Sequence, residues 1–272
     1  MPLITITRNI GCNGTTIAQR VAEEMKLELY DDARLEQEAD RLGLRPKDLE
    51  IMEEKAPGLF DRLWGLKPEI YLDLLQAVVY EVAHRGNGVI MGHGSQMLLR
   101  DFNCALHVRI FASDEFRIAR LVRKRGMSPE AAEKFIHKKD SERRGFIRYA
   151  FHMDWNDPTL YDVIINRDKL TSDLAVKLIV EAAHSKEIQE CSITATEAME
   201  RLSLSRRIEA AMIKNDFSSH EFHVEVPEKG VALITGWTYS QDEKARIVQV
   251  VKGVPGVKNV QTDVAVVPMM GT

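Results

Sequence analysis

From residue 3 the chain alternates. Leu3-Ile-Thr-Ile-Thr7 sets apolar against hydroxyl-bearing residues in a β-branched run with a period of two, which predicts a strand. The period then changes. Gly11, Asn13 and Gly14 form a turn permissive of positive φ, and from Thr16 onward Ile17, Ala18, Val21, Ala22 and Met25 fall on one helical face. Residues 27–30 predict a short strand ending at Asp31-Asp32. Residues 33–85 predict helices broken at Gly43–Pro46, at Pro57-Gly58 and near Pro68, the last with Ile70, Leu74, Ala77, Val78 and Val82 on one side. Further strands are predicted at 89–91, 105–111 and 161–165. Helices follow Gly92-His-Gly94-Ser95, Ser113, the Ser128-Pro129 pair and Thr171. Strands alternating with helices predict an α/β fold whose parallel sheet is covered on both faces.

Around residues 185–195 the pattern shifts. Thr194-Ala-Thr-Glu197 is a capping box opening a new helix, and residues 221–226 and 231–235 predict a hairpin around Glu-Lys-Gly. Ser240-Gln-Asp-Glu243 is a second capping box leading a helix through Val251, and residues 260–267 predict a last strand. The expected division is therefore an α/β domain over 1–188 and a small α+β domain over 195–268.

Composition narrows the classes. With 44% hydrophobic and 29% charged residues the 272-residue chain reads as globular, and its net charge of −4 gives no global signal for a nucleic-acid partner. No run approaches the length of a membrane span, and no basic-then-apolar leader opens the chain, so a cytoplasmic location is expected. Cys12, Cys104 and Cys191 are few and odd in number, which predicts a reducing compartment and neither a zinc pattern nor a disulfide framework. Cys12 would be reactive if a helix N-terminus lowered its pKa; packing is the alternative.

Strand, glycine-containing loop and helix in that order is the layout of a phosphate-binding loop, in which backbone N–H groups of Gly11, Cys12, Asn13, Gly14, Thr15 and Thr16 would face an anion. The match to G-x-x-x-x-G-K-[ST] is partial. With Gly14 as the last glycine, Thr16 takes the magnesium-binding position, Asn9 the first-glycine position and Thr15 the lysine position. Arg8 is the candidate replacement cation. An ordinary strand–turn–helix is the competing reading. Two basic segments stand out: Arg117, Arg120 and Arg123 at spacing three, and residues 138–149 with Arg143, Arg144 and Arg148.

With these stretches in view, the first 185 residues resemble the cytidylate kinase-like family of P-loop nucleoside monophosphate kinases. The resemblance rests on residues 4–14, Val89-Ile-Met-Gly-His-Gly94, residues 108–112 with their arginine helix, and residues 139–162 with Asp140, Arg143, Tyr149, Trp155, Asp157-Pro158 and Tyr161-Asp162. Residues 195–268 resemble a BON domain through Val231-Ala-Leu-Ile-Thr-Gly236, a helix, and Gly253-Val-Pro-Gly-Val257. The first resemblance implies a P-loop kinase-like sheet with helical monophosphate-binding and lid regions, ATP and Mg2+ as cofactors, and CMP or dCMP as acceptor. It implies Arg8, Arg143, Arg144 and Arg148 as catalytic cations. Substrate contacts would come from Asp32, Arg34, Gly92, His93, Arg117, Asp140 and Asp162, with Thr16 on the metal. A helical pair of Asp140 with Arg144, one turn apart, is the bland alternative for that segment. The second resemblance implies a protein or lipid-surface partner. Two departures matter. Thr15 stands where the family often has Arg or Lys, and His93 stands in its Gly-Arg-Gly. Each removes a permanent cation, so a nucleotide-binding regulatory or scaffold protein without turnover is the competing function.

Overall fold

The computed structural model describes residues 2–42, 68–189, 193–217 and 221–267. The expected breaks at Gly43–Pro46 and Pro57-Gly58 lie outside the described residues. By its contacts the chain separates into two units, Met1–Arg34 with Arg85–Ser192, and Leu35–His84 with Ile193–Thr272.

In the first unit, β1 (Leu3–Arg8), β2 (Leu29–Tyr30), β3 (Gly88–Met91), β4 (Ala105–Phe111) and β5 (Val163–Asn166) form one sheet in the order β2-β3-β1-β4-β5. Every pairing is parallel. The alternation in β1 gives the sheet two unlike faces. Ile4 and Ile6, with Leu106, Val108 and Ile110 of β4, face an apolar core closed by α1 (Gly14–Met25) and α7 (Ser172–Ala183). Thr5 and Thr7 face the other way. Thr5 Oγ1 is 2.8 Å from His107 Nδ1, and Thr7 Oγ1 donates to Gln96 Oε1 at 3.0 Å, Gln96 lying on the short α4 (Ser95–Leu98). The hydroxyls of an alternating strand are thus satisfied by side chains where the opposite face needs none.

Two further helices carry the basic segments. α5 (Asp114–Arg125) is capped by Ser113, and α6 (Pro129–Phe151) by Ser128 with Pro129 in its first turn, as their sequences require. α6 runs unbroken for 23 residues, so the basic stretch from Lys138 is the second half of one helix. Cys104, buried before β4, is disulfide-bonded, against the expectation from cysteine count. Count and spacing in sequence do not reveal which thiols a fold brings within bonding range.

The short α8 (Lys186–Gln189) ends the first unit; the second holds α2 (Asp32–Arg41) beyond its first turn, α3 (Pro68–His84) and α9 (Ile193–Lys214). The helix at α9 already begins at Ile193, before the Thr194 expected to cap it. Glu81 of α3 accepts from Ser203 of α9 at 2.9 Å and from Arg41 of α2 at 3.4 Å. β6 (Phe222–Glu228) and β7 (Val231–Thr238) form the expected hairpin, and α10 (Gln241–Lys252) crosses over to β8 (Asn259–Val266), which pairs with β7 in parallel. Their core joins Leu204, Ile208, Phe222, Val224, Ile234, Ile247 and Val264. Gly236 is a glycine because a Cβ there would lie 2.1 Å from the Glu221 carbonyl oxygen. Among the described residues no helix is long and apolar enough to cross a membrane.

Candidate active site

The site grows from the end of β1. The Asn9 N–H donates to the Ile110 carbonyl at 3.0 Å, the last sheet bond before the chain turns through Gly11 and Cys12 into α1. Asn13 stands at the helix N-cap in the left-handed region, φ 65°, with no side-chain cap, so the first turn of α1 is open. Cys12 is fully buried, and burial pushes its thiol up to about 12. Of the two readings for this cysteine, packing holds.

Arg8 lies across the two glycine loops. A Cβ on Gly14 would meet Arg8 Cβ at 2.6 Å, and one on Gly92 would meet Arg8 Nη1 at 2.7 Å. These glycines therefore make the channel through which the Arg8 side chain passes. Among the described residues the Arg8 guanidinium makes no hydrogen bond or ion pair. Desolvation, and then the charge of Arg143, pull its pKa down to about 10. Arg143 donates from Nη1 to the Arg8 carbonyl oxygen and stacks 5.8 Å from the Trp155 ring centre. Its own pKa is lowered by desolvation. Beside this pair is a cavity of about 240 Å³ bounded by Gly11, Asn13, Gly14 and Thr15. Five of its twelve lining residues are cationic (Arg8, Arg120, Lys124, Arg125 and Arg143) and none is acidic. In a chain of net charge −4 that is a local concentration of positive charge.

A buried brace holds the loop from below. Asp140 Oδ2, on α6, accepts from Arg117 Nη1 at 2.6 Å and from Asn9 Nδ2 at 2.9 Å. Arg117 also donates to Asp114 at 2.5 Å and to the Ile10 carbonyl at 3.4 Å. Burial alone would lower the Arg117 pKa, but its bonds to Asp114 and Asp140 outweigh burial and raise it. Asp140 thus pairs with Arg117 rather than with Arg144. The alternative reading of a helical Asp140–Arg144 pair does not hold, because Asp140 is buried against Arg117 while Arg144 is exposed.

The model of the cytidylate kinase-like family matches residues 3–169, three fifths of the chain and all of this site. The chain belongs to the cytidylate kinase-like family. A BON-domain model matches residues 202–268. The chain is 28% identical over 182 residues to a cytidylate kinase of Pyrococcus horikoshii, covering 66% of this chain and 87% of that one. It is 27% identical over 188 residues to a cytidylate kinase of Archaeoglobus fulgidus, covering 68% of this chain and 97% of that one. A crystal structure of an uncharacterized protein from Eubacterium ventriosum shares the fold, with a TM-score of 0.55 at 21% identity over 68% of this chain and 99% of that one.

Against the expectations that the cytidylate kinase-like resemblance set, the structure gathers some residues and leaves others apart. Arg8, Gly11, Asn13, Gly14, Thr15 and Arg143 meet at the cavity. Thr16 is exposed on the first turn of α1 and is not in the cavity wall. His93, φ 57°, sits beside Gly92 with Nε2 2.8 Å from Asp32 Oδ1. That hydrogen bond is the main reason the Asp32 pKa is lowered, and Arg8 adds to it. Arg34 is engaged by Glu28 at 2.5 Å and lies over the Tyr30 ring. Arg144 and Arg148 are exposed on α6. Asp162 is not brought to the site. Its carboxylate accepts from the His107 N–H at 2.7 Å, three residues short of the Ile110 level where Arg8 pairs. The motif residues Trp155 and Tyr161 form a buried cage around Arg109, which donates to the Trp155 carbonyl at 3.0 Å and to Asn156 Oδ1 at 2.6 Å. Arg109 and Arg167 were missed in the sequence. Arg109 sits in the middle of a strand pattern, where the charge contradicts the period and so marks a special environment.

Proposed function

We propose that this protein is a nucleoside monophosphate kinase-like phosphotransferase that moves the terminal phosphoryl group of ATP to CMP or dCMP. The observation that carries the reading is the Arg8 guanidinium, unpaired among the described residues and beside Arg143, in a cavity lined by five cations and no acid at the open end of α1. Phosphoryl transfer needs little from a protein beyond positioning and cationic stabilisation of dispersed charge. Loop amides of Gly11 to Thr16 hold the donor phosphates. Arg8 takes the part of the missing lysine, because its guanidinium reaches the cavity from β1 whereas Thr15 presents only a hydroxyl. Arg143 is the lid cation nearest the transferring group, and Arg144 and Arg148 stand exposed on the same helix to close over it. Thr16 is the residue that would hold Mg2+, which would neutralise phosphate charge when bound; its side chain is exposed on the first turn of α1, outside the wall of the cavity. Asp32, His93 and Gly92 face the acceptor side. The α/β part over 1–188 carries this chemistry, and the BON-like part over 195–268 contacts a protein or a lipid surface; the protein works in the cytoplasm.

A second reading, nucleotide binding without turnover, is favoured by one observation: Arg143 is bonded to the Arg8 carbonyl, which occupies one of its donors. ADP release from Mg-ATP with each nucleoside monophosphate, alongside calorimetric ATP binding, separates the two. Turnover that needs CMP or dCMP and is lost in Arg143→Ala supports the kinase; binding without turnover for any acceptor supports the second reading. Arg8→Met should abolish binding and Arg8→Met/Thr15→Lys should restore it. A double variant as weak as Arg8→Met overturns the substitution of one cation for the other.

A further inference from the structure

The Asn13 side chain caps nothing, yet both its oxygen and its nitrogen are engaged. Its Oδ1 accepts from Arg120 Nη2 on α5, and its Nδ2 donates to Ser172 Oγ, the first residue of α7, at 3.0 Å. The amide orientation follows from chemistry, because a guanidinium can only donate and so fixes Oδ1 toward Arg120. Ser172 Oγ in turn accepts from Arg167 Nη2 at 2.9 Å. Arg167 is itself buried just after β5, its guanidinium 6.0 Å from the Phe116 ring centre, and among the described residues its Nε and Nη1 have no partner. A strap of four side chains therefore joins the phosphate loop to α5 on one side and to the β5–α7 turn on the other. Arg120 is one of the five cations on the cavity wall.

We propose that Asn13, itself held by Ser172 and Arg167, is a positioning residue that aims Arg120 into the phosphate cavity. This rests on the reading of the cavity as a phosphate site. A free arginine side chain must lose rotamer freedom when it meets a ligand, and a preset hydrogen bond to Asn13 removes part of that cost beforehand. The residue type fits both tasks. Asparagine tolerates the left-handed backbone, and its amide supplies one acceptor and one donor on a short stem.

Asn13→Gly is the informative variant, since glycine keeps the left-handed backbone and removes only the strap. Arg120→Met removes the cation it aims. Binding of Mg-ATP and of inorganic tripolyphosphate is measured by calorimetry for the wild type, each single variant and the double, with thermal midpoints alongside. Each single variant should weaken binding about tenfold, the scale of one charge-assisted hydrogen bond. The double should be no weaker than Arg120→Met, because residues acting through one another do not add. Midpoints should be unchanged in Asn13→Gly. Asn13→Gly with wild-type affinity overturns the proposal, as does a double variant about a hundredfold weaker, which would make the two independent. Binding of tripolyphosphate but not of ATP would overturn the nucleotide reading and leave the strap to be judged on tripolyphosphate. Binding of neither by the wild type overturns both.

Discussion

Removing the Asp140 carboxylate should destabilise the first unit strongly, and the size of the effect follows from its surroundings. Asp140 and Arg117 are 6% and 4% exposed and 2.6 Å apart. Deleting one partner of such a pair strands the other charge, at a cost of about 3–5 kcal/mol. Arg117 keeps Asp114, whose side chain is 45% exposed and so compensates weakly through solvent. The expected loss for Asp140→Ala is therefore near the lower end, about 3 kcal/mol, which for a unit of this size lowers the unfolding midpoint by roughly 10 °C. Because the chain separates into two units by its contacts, the transition is best followed in a Trp64→Phe/Trp237→Phe background, where the remaining tryptophan, Trp155, lies in the first unit. The control is Asp140→Leu/Arg117→Met. It removes both charges and should recover most of the loss, since a buried pair is costly to break but not to replace. A loss below about 1 kcal/mol, within the range of exposed pairs, would show that water solvates the pair. A double variant as unstable as Asp140→Ala would show that packing rather than charge is at stake. Either result refutes the brace.

Other outcomes are open to direct measurement. With its thiol raised to about 12, Cys12 should stay protonated as pH climbs through 8, and site-resolved alkylation at pH 8 should run about a thousandfold slower than for a free thiol of pKa near 8.5; rapid labelling in the folded state would contradict its burial. Arg109→Met should cost about 2–4 kcal/mol through two lost charge-assisted bonds and the emptied aromatic cage, read by the same Trp155 transition. Arg8→Met should raise the stability of the unliganded protein by about 1–3 kcal/mol while removing stabilisation by added tripolyphosphate, because it deletes a desolvated, unpaired charge; a lowered midpoint without ligand would refute that sign.

Much of the first unit was legible because local pattern and tertiary role coincide there. The alternation of Leu3 to Thr7 already separates the face that meets α1 from the face that needs hydroxyl partners. Ser113, Ser128 and Thr171 announce their helices by the chemistry of the N-cap, and all three accept the expected backbone bonds. What the sequence could not show was partner choice across elements. Asp140 and Arg144 have the spacing of a helical pair, but spacing along one helix is blind to Arg117 on another. Asp162 matched its motif and yet serves the register of β5 against His107. The apolar face of α3 was equally readable, but an apolar stripe does not name what covers it, and by contacts Leu35–His84 groups with Ile193–Thr272.

The absent lysine makes the same point in the opposite direction. Read along the chain, Thr15 is a lost cation. In space the charge returns from residues far apart in the chain: Arg8 from the end of β1 and Arg143 from α6, both expected from the sequence, and Arg120 from α5. A lysine on the loop is a point charge on a flexible stem; arginines anchored at their far ends are planar forks with fixed approach. Each anchor is visible: the glycine channel for Arg8, Asn13 for Arg120, the Arg8 carbonyl and the Trp155 ring for Arg143. Holding like charges close together out of water opposes folding, and an anion placed between them relieves that opposition. On the proposed phosphate-binding function, a site assembled this way stores its affinity as instability of the unliganded protein, which is why loss of Arg8 should strengthen the fold and silence the cavity in a single step.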